Sequence, residues 1–186
     1  MSEGSVRLVT DRLELLAPLD PSAAQAVADY QTRNRAHFGP WDPVRPEPYY
    51  QAEFWRQQLE DDARAQAADQ RVRFFVREGE RVIGHVHFAN IVRGAFQACH
   101  LGFGIDAERA GRGLMREALT AALEWAFGEL RLHRVEANHR PENTPSRLLL
   151  KRLGFVPQGY ARDYLRIDGE WRDHVLCALT NPSWHD

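Results

Sequence analysis

One stretch limits the fold of this chain more than any other. An apolar run ends at Ile105, Ala110-Gly111-Arg112-Gly113-Leu114-Met115 follows, and Leu114, Ala118, Ala121 and Trp125 then recur at helical spacing. A strand, a glycine-bearing turn and a helix in that order form an anion-binding arrangement, because the first N–H groups of a helix lack partners and point outward together. The aligned peptide dipoles add roughly half a positive charge at that end. Gly111 and Gly113 leave room for a diphosphate to approach the backbone, and Arg109 and Arg112 can add charge-assisted hydrogen bonds. Standing alone, the same turn also reads as a tight connection that binds nothing.

Two nucleotide-binding patterns are excluded. A P-loop needs Gly-Lys-Ser/Thr, whereas Gly111 leads to Arg112-Gly113-Leu114 with no lysine or hydroxyl. A dinucleotide fingerprint needs a third glycine, and position 116 is Arg.

Around this stretch the elements follow as strand, two helices, three strands, helix, strand, helix and hairpin. Arg12 to Leu16 reads as the first strand, and Asp20-Pro21 caps a helix to about Arg33. Residues 37–43 carry two prolines and two aromatics and are expected as a shaped loop without regular structure. A helix from Tyr49 to about Ala68 precedes strands at 72–76, 82–91 and 95–105, the last being the fourth strand. Val135 to Asn138 is the fifth, Asn143-Thr144-Pro145 opens a helix to Leu153, and Asp168-Gly169 joins the closing hairpin. A chain of 186 residues without repeats or linkers is expected to form one domain, 1–186, of mixed α/β class.

The formal net charge of -2 argues against a globally basic nucleic-acid binder. The two cysteines follow no metal or disulfide spacing, and neither a leader nor a membrane span is visible. A cytoplasmic protein is expected, as a monomer or homodimer.

Leu101-Gly102-Phe103-Gly104-Ile105 and Arg109-Ala110-Gly111-Arg112-Gly113-Leu114-Met115-Arg116-Glu117-Ala118-Leu119 together resemble the acetyl-CoA motif of the GNAT acetyltransferases, whose element order the chain shares. Ile91-Val92-Arg93-Gly94-Ala95-Phe96, Leu153-Gly154-Phe155 and the stretch from Tyr164 through Asp168-Gly169-Glu170-Trp171-Arg172-Asp173-His174 are similar to the RimJ-type ribosomal-protein-alanine N-acetyltransferases. The resemblance covers most of the chain and is thinner before residue 35, apart from Thr10-Asp11-Arg12-Leu13. It implies a mostly antiparallel sheet flanked by helices, with a V-shaped split between the fourth and fifth strands. Acetyl-CoA would lie in that split as co-substrate, its pantetheine against the main chain of Phe103, Gly104 and Ile105 and its diphosphate against residues 109 to 115. Ala110 replaces a glutamine common in such families, which removes a side-chain contact but no backbone donor.

The resemblance also places Asn143 and Ser146 near the pantetheine and sulfur, where a hydroxyl can assist a departing thiolate of pKa roughly 8.5; the plainer reading is a helix cap. Strand alternation sets His100, Gly102 and Gly104 on one face, with His100 where many relatives carry a glutamate base. Glu136 on the neighbouring strand is a second candidate base. Phe38, Trp41, His85, His87, Asn90, Tyr160 and Tyr164 are candidates for the acceptor groove; no metal is expected at the histidines. The implied reaction is direct attack, in a ternary complex, by the N-terminal α-amine of a ribosomal protein, and the implied partners include the ribosome itself. A small-amine acetyltransferase and a CoA-binding assembly module with little turnover are the alternatives.

Overall fold

Alternation along the central strands sorts the side chains into two cores. In the computed structural model, which describes residues 4–185, β3 (Val72–Glu78) and β4 (Arg81–Val92) are interior neighbours in an eight-stranded sheet. Phe74, Val76, Val86 and Phe88 face one side and pack on Leu114, Ala118, Leu119, Ala122 and Ala126 of α4 (Leu114–Gly128). Phe75 and Val82 face the other side and pack on Val27 and Tyr30 of α1 (Ala24–Arg33) and on Trp55 and Leu59 of α3 (Ala52–Ala67). The helix-period pattern of α4 and the period-two pattern of β3 are therefore two sides of one interface.

The strand order is β1 (Val6–Val9), β2 (Glu14–Ala17), β3, β4, β5 (Ala98–Ile105), β6 (Arg134–His139), β8 (Glu170–Thr180) and β7 (Val156–Ile167). Neighbours run antiparallel except β5 and β6, which run parallel. Strand β1 lies outside the sequence reading, so the fourth and fifth strands of that reading are β5 and β6. Their pairing covers only Ala98 with Arg134, Cys99 with Val135 and His100 with Glu136. Beyond that point β5 runs on to Ile105 and β6 to His139 with no pairing between them, which is the V-shaped split.

Segment 37–43 departs from expectation. It forms α2 (Arg35–Phe38) and a tight helical turn, Gly39–Trp41, instead of an irregular loop. Pro40 sits in the first turn, where its missing N–H costs nothing, and the Phe38 ring is fixed 5.7 Å from Tyr30. The hairpin turn is as the sequence requires: Asp168 and Gly169 have φ of 50° and 79°, the left-handed pair of a two-residue turn. Helix α5 (Thr144–Arg152) lies on the α4 side, where Leu150 joins the core.

Candidate active site

The turn ahead of α4 presents backbone donors. Glu117 N donates to the Gly113 carbonyl at 3.1 Å, so the amides from Gly111 to Arg116 lie ahead of the first intrahelical bond. Gly111 and Gly113 have φ of 74° and 77°, a region that disfavours any side chain. A Cβ at Gly111 would meet nothing within 4 Å, so that face of the turn is open. Leu114 and Met115 bury their side chains in the core and offer only main-chain atoms.

Two clamps hold the turn. Asp106, 1% exposed, accepts from Arg33 Nε at 2.7 Å and Arg81 at 3.1 Å, and it caps the short helical turn Ala107–Arg109. Burial pushes its carboxyl up, but the bonds from Arg33 outweigh this and hold it below the ordinary value. On the other side Arg12 and Thr10 grip Glu117. Arg109 differs in role from the sequence expectation: its guanidinium is committed to Glu78, at 2.7 and 2.9 Å. Arg112 is exposed, with no acidic partner among the described residues.

The split opens into a cavity of about 450 Å³ beneath α3 and segment 41–46. Cross-strand register defines its floor. His87 pairs with Gly102 and His85 with Gly104 on one sheet face. The same face continues through Asn138 and Leu176, which pair with each other, to His174 on β8. Gly104 is required there, since a Cβ would lie 2.7 Å from the His85 ring. Arg140 Nη1 donates to the Pro40 carbonyl at 2.7 Å, and its guanidinium lies 5.4 Å from the Trp41 ring centre. Asp168 N donates to the Asp42 carbonyl at 3.0 Å, joining the roof to the β7–β8 hairpin.

The cavity unites many of the predicted residues. Phe103, Trp41, His85, His87, Asn143 and Ser146 all line it. Asn143 also caps α5, accepting from Ser146 N at 3.1 Å, so the cap reading and the site reading hold together. Enclosure in the wall pushes both His85 and His87 down to about 3, with Arg73 repelling the proton as well. His85 Nδ1 lies 3.1 Å from the Tyr30 hydroxyl. No metal-holding cluster exists among the described residues.

Other predicted residues stand apart. Phe38 packs behind the wall, its ring 6.2 Å from that of His85. His100 and Glu136 form a pair at 3.4 Å one row behind the cavity, with Asn90 3.4 Å from His100 and Arg134 2.7 Å from Glu136. Tyr160 points to solvent, 57% exposed, and donates to Asp173 at 2.6 Å, outside the cavity lining. Tyr164 reaches the site through Asn138, whose Nδ2 donates to its hydroxyl at 3.3 Å. The sequence reading missed Asn138, His139, Arg140, His174, Arg45 and Tyr49, all of which line the cavity. Alternation carried on from Glu136 would have found Asn138.

The GNAT acetyltransferase domain family matches residues 12–156, which contain the glycine turn, both edges of the split and α5. The chain belongs to the GNAT acetyltransferase family. It is 44% identical over 181 residues to the Escherichia coli [Ribosomal protein uS5]-alanine N-acetyltransferase, covering 96% of this chain and 93% of the relative. The crystal structure of a ribosomal-protein-S5-alanine acetyltransferase from Vibrio fischeri superposes with a TM-score of 0.93 at 34% identity, covering 97% of this chain and 100% of that one. Mycobacterium smegmatis RimJ in complex with CoA-disulfide gives 0.87 at 28% identity, covering 94% and 84%. This GNAT protein is an acetyl-CoA-dependent N-acetyltransferase, and its residues fit that co-substrate. The open amides at Gly111 to Arg116 suit a diphosphate, and the unpaired edge of β5 suits an extended amide chain. No helix among the described residues is long and apolar enough to cross a membrane.

Proposed function

We propose that this GNAT enzyme acetylates the N-terminal α-amine of an alanine on ribosomal protein uS5, in the cytoplasm. The observation that carries this reading is the 44% identity, spanning almost the full length of both chains, to a uS5-alanine N-acetyltransferase. Acetyl-CoA supplies the acetyl thioester. The amides of residues 111 to 116 hold the diphosphate, and the main chain of Phe103 and Ile105 aligns the pantetheine along the open edge of β5. Ser146, lining the cavity from the α5 side, offers its hydroxyl to the departing sulfur.

The acceptor enters from the α1–α3 side, over His87 and Gly102 and beneath Trp41. An α-amine suits such a site because at pH 7 roughly 10% of it is neutral, against under about 0.1% for a lysine. Much of the rate then comes from holding amine and thioester in line.

Incubation with acetyl-CoA, a panel of N-terminal peptides and a panel of small amines, followed by free thiol, tests the reading. Alanine-starting uS5 peptides should turn over best. Turnover confined to small amines, or acetyl-CoA binding without any turnover, would refute it.

A further inference from the structure

The proposed transfer must dispose of one proton from the acceptor nitrogen, and the two groups singled out in sequence for that task, His100 and Glu136, lie 3.4 Å from each other one row behind the cavity. His174 stands where they do not. It lines the cavity and lies on the sheet face of His87, Gly102 and Asn138. Its side chain is buried, packed 5.5 Å from the Tyr164 ring.

Its proton position is fixed by the backbone. His174 Nδ1 lies 3.0 Å from the Arg172 carbonyl oxygen. A carbonyl only accepts, so Nδ1 carries the hydrogen and Nε2 keeps its lone pair. Nε2 has no hydrogen-bond partner among the described residues, and it is not one of the buried polar atoms left without one. His139 has the same arrangement with the Arg140 carbonyl at 2.9 Å and also lines the cavity, but alternation sets it on the α5 side, off the face of His87, Gly102 and Asn138 over which the acceptor enters.

We propose that His174 Nε2 is the general base of this acetyltransferase, taking the proton of the acceptor amine. The inference rests on the N-acetyltransferase reading and adds a catalytic residue to it. The acceptor nitrogen bonds to the acetyl carbonyl carbon as the carbon–sulfur bond breaks. The electron pair leaves with sulfur, and the N–H proton passes to Nε2 and then to water. The groups facing the ring are His139 and Arg140 at the end of β6, Tyr164 on β7 and Asp173 beside it on β8. Burial, then Arg140 and His139, lowers the ring below its ordinary value despite the Arg172 bond and Asp173, which favour protonation, so it is neutral at pH 7 and ready to accept.

The test is the pH dependence of kcat at saturating acceptor for wild type, His174→Asn and His174→Gln, with acetyl-CoA affinity measured in parallel. Asn keeps a donor near the Nδ1 position and neither residue titrates. The expected result is a fall in kcat of about 100-fold or more, loss of the acid limb below pH 6.5 and unchanged acetyl-CoA affinity. Variants that keep the acid limb and at least a third of wild-type kcat would overturn the proposal. So would nitrogen NMR of the wild type showing the proton on Nε2, a readout that survives any failure of the variants to fold. Wild-type protein inactive on every amine would instead count against the acetyltransferase reading itself.

Discussion

The guanidinium of Arg12 lies 2.6 Å from the Glu117 carboxylate and 3.2 Å from the carbonyl of Arg112. One side chain just ahead of β2 thus holds both the first turn of α4 and the glycine turn in front of it. Thr10 adds a hydroxyl bond to Glu117 at 2.6 Å, and Arg12 N a further bond at 3.0 Å.

The first prediction concerns that grip. Burial works against the Glu117 charge, yet the bonds from Thr10 and Arg12 keep its carboxyl below the ordinary 4.5. The folded state therefore takes this proton less readily than the unfolded one, so the contribution is full above pH 4.5 and lost as pH falls through the folded value. Glu117→Gln should cost about 1 kcal/mol at pH 7, a Tm loss of roughly 2–4 °C. The gap from wild type should close in acid, and KM for acetyl-CoA should rise several-fold. A gap that persists in acid would refute the electrostatic account.

The cradle itself is tested at Gly113. With φ of 77° and open space around its absent Cβ, apart from Arg12 at 3.7 Å, Gly113→Glu strains the backbone by about 1–3 kcal/mol and sets a carboxylate where the diphosphate belongs. Isothermal titration should show acetyl-CoA affinity down at least about 100-fold in a folded protein. Unchanged affinity would remove the cradle.

Arg140 should separate the two substrates. It ties Pro40 and faces Trp41 from the end of β6, across the acceptor side of the cavity. Arg140→Ala should raise KM for an acceptor peptide about tenfold while leaving KM for acetyl-CoA within about twofold. Equal changes in both would place Arg140 elsewhere in the reaction.

The enclosed histidines predict a second pH dependence. His85 and His87 have an ordinary value of 6.5 and are pushed to about 3 when folded. Below 6.5 the unfolded chain takes up protons that the folded chain refuses, so stability should fall as pH drops from 6.5 toward 3. NMR should show neither ring titrating between about pH 5 and 8. A titration near the ordinary value would contradict their burial.

Most of the fold was legible because its signals are local. The left-handed pair Asp168-Gly169, the Asp20-Pro21 cap and the repeat of Leu114, Ala118 and Trp125 each announce an element without help from distant residues. The strand, glycine turn and helix proposed to hold the cofactor were legible for the same reason, since they are contiguous in sequence. The acceptor half was not. Arg140 meets Pro40 across 100 residues of chain, and His174 shares the face of Asn138 and Gly102 only because the sheet order puts β8 beside β6. The Arg109–Glu78 pair was hidden for a related reason: Glu78 lies two strands away in the chain, and nothing near 109 in sequence reveals it. Segment 37–43 was misread because proline was taken as a breaker, although in the first turn of a short helix it fits.

N-terminal acetylation by this enzyme is tested most directly by tandem mass spectrometry of an alanine-starting uS5 peptide that also carries a lysine, incubated with the enzyme and acetyl-CoA. One acetyl group is expected, on the α-amine, with thiol released in equal amount and with none of either from Gly113→Glu. Acetylation on the lysine alone, or an unmodified peptide alongside tightly bound acetyl-CoA, would contradict it.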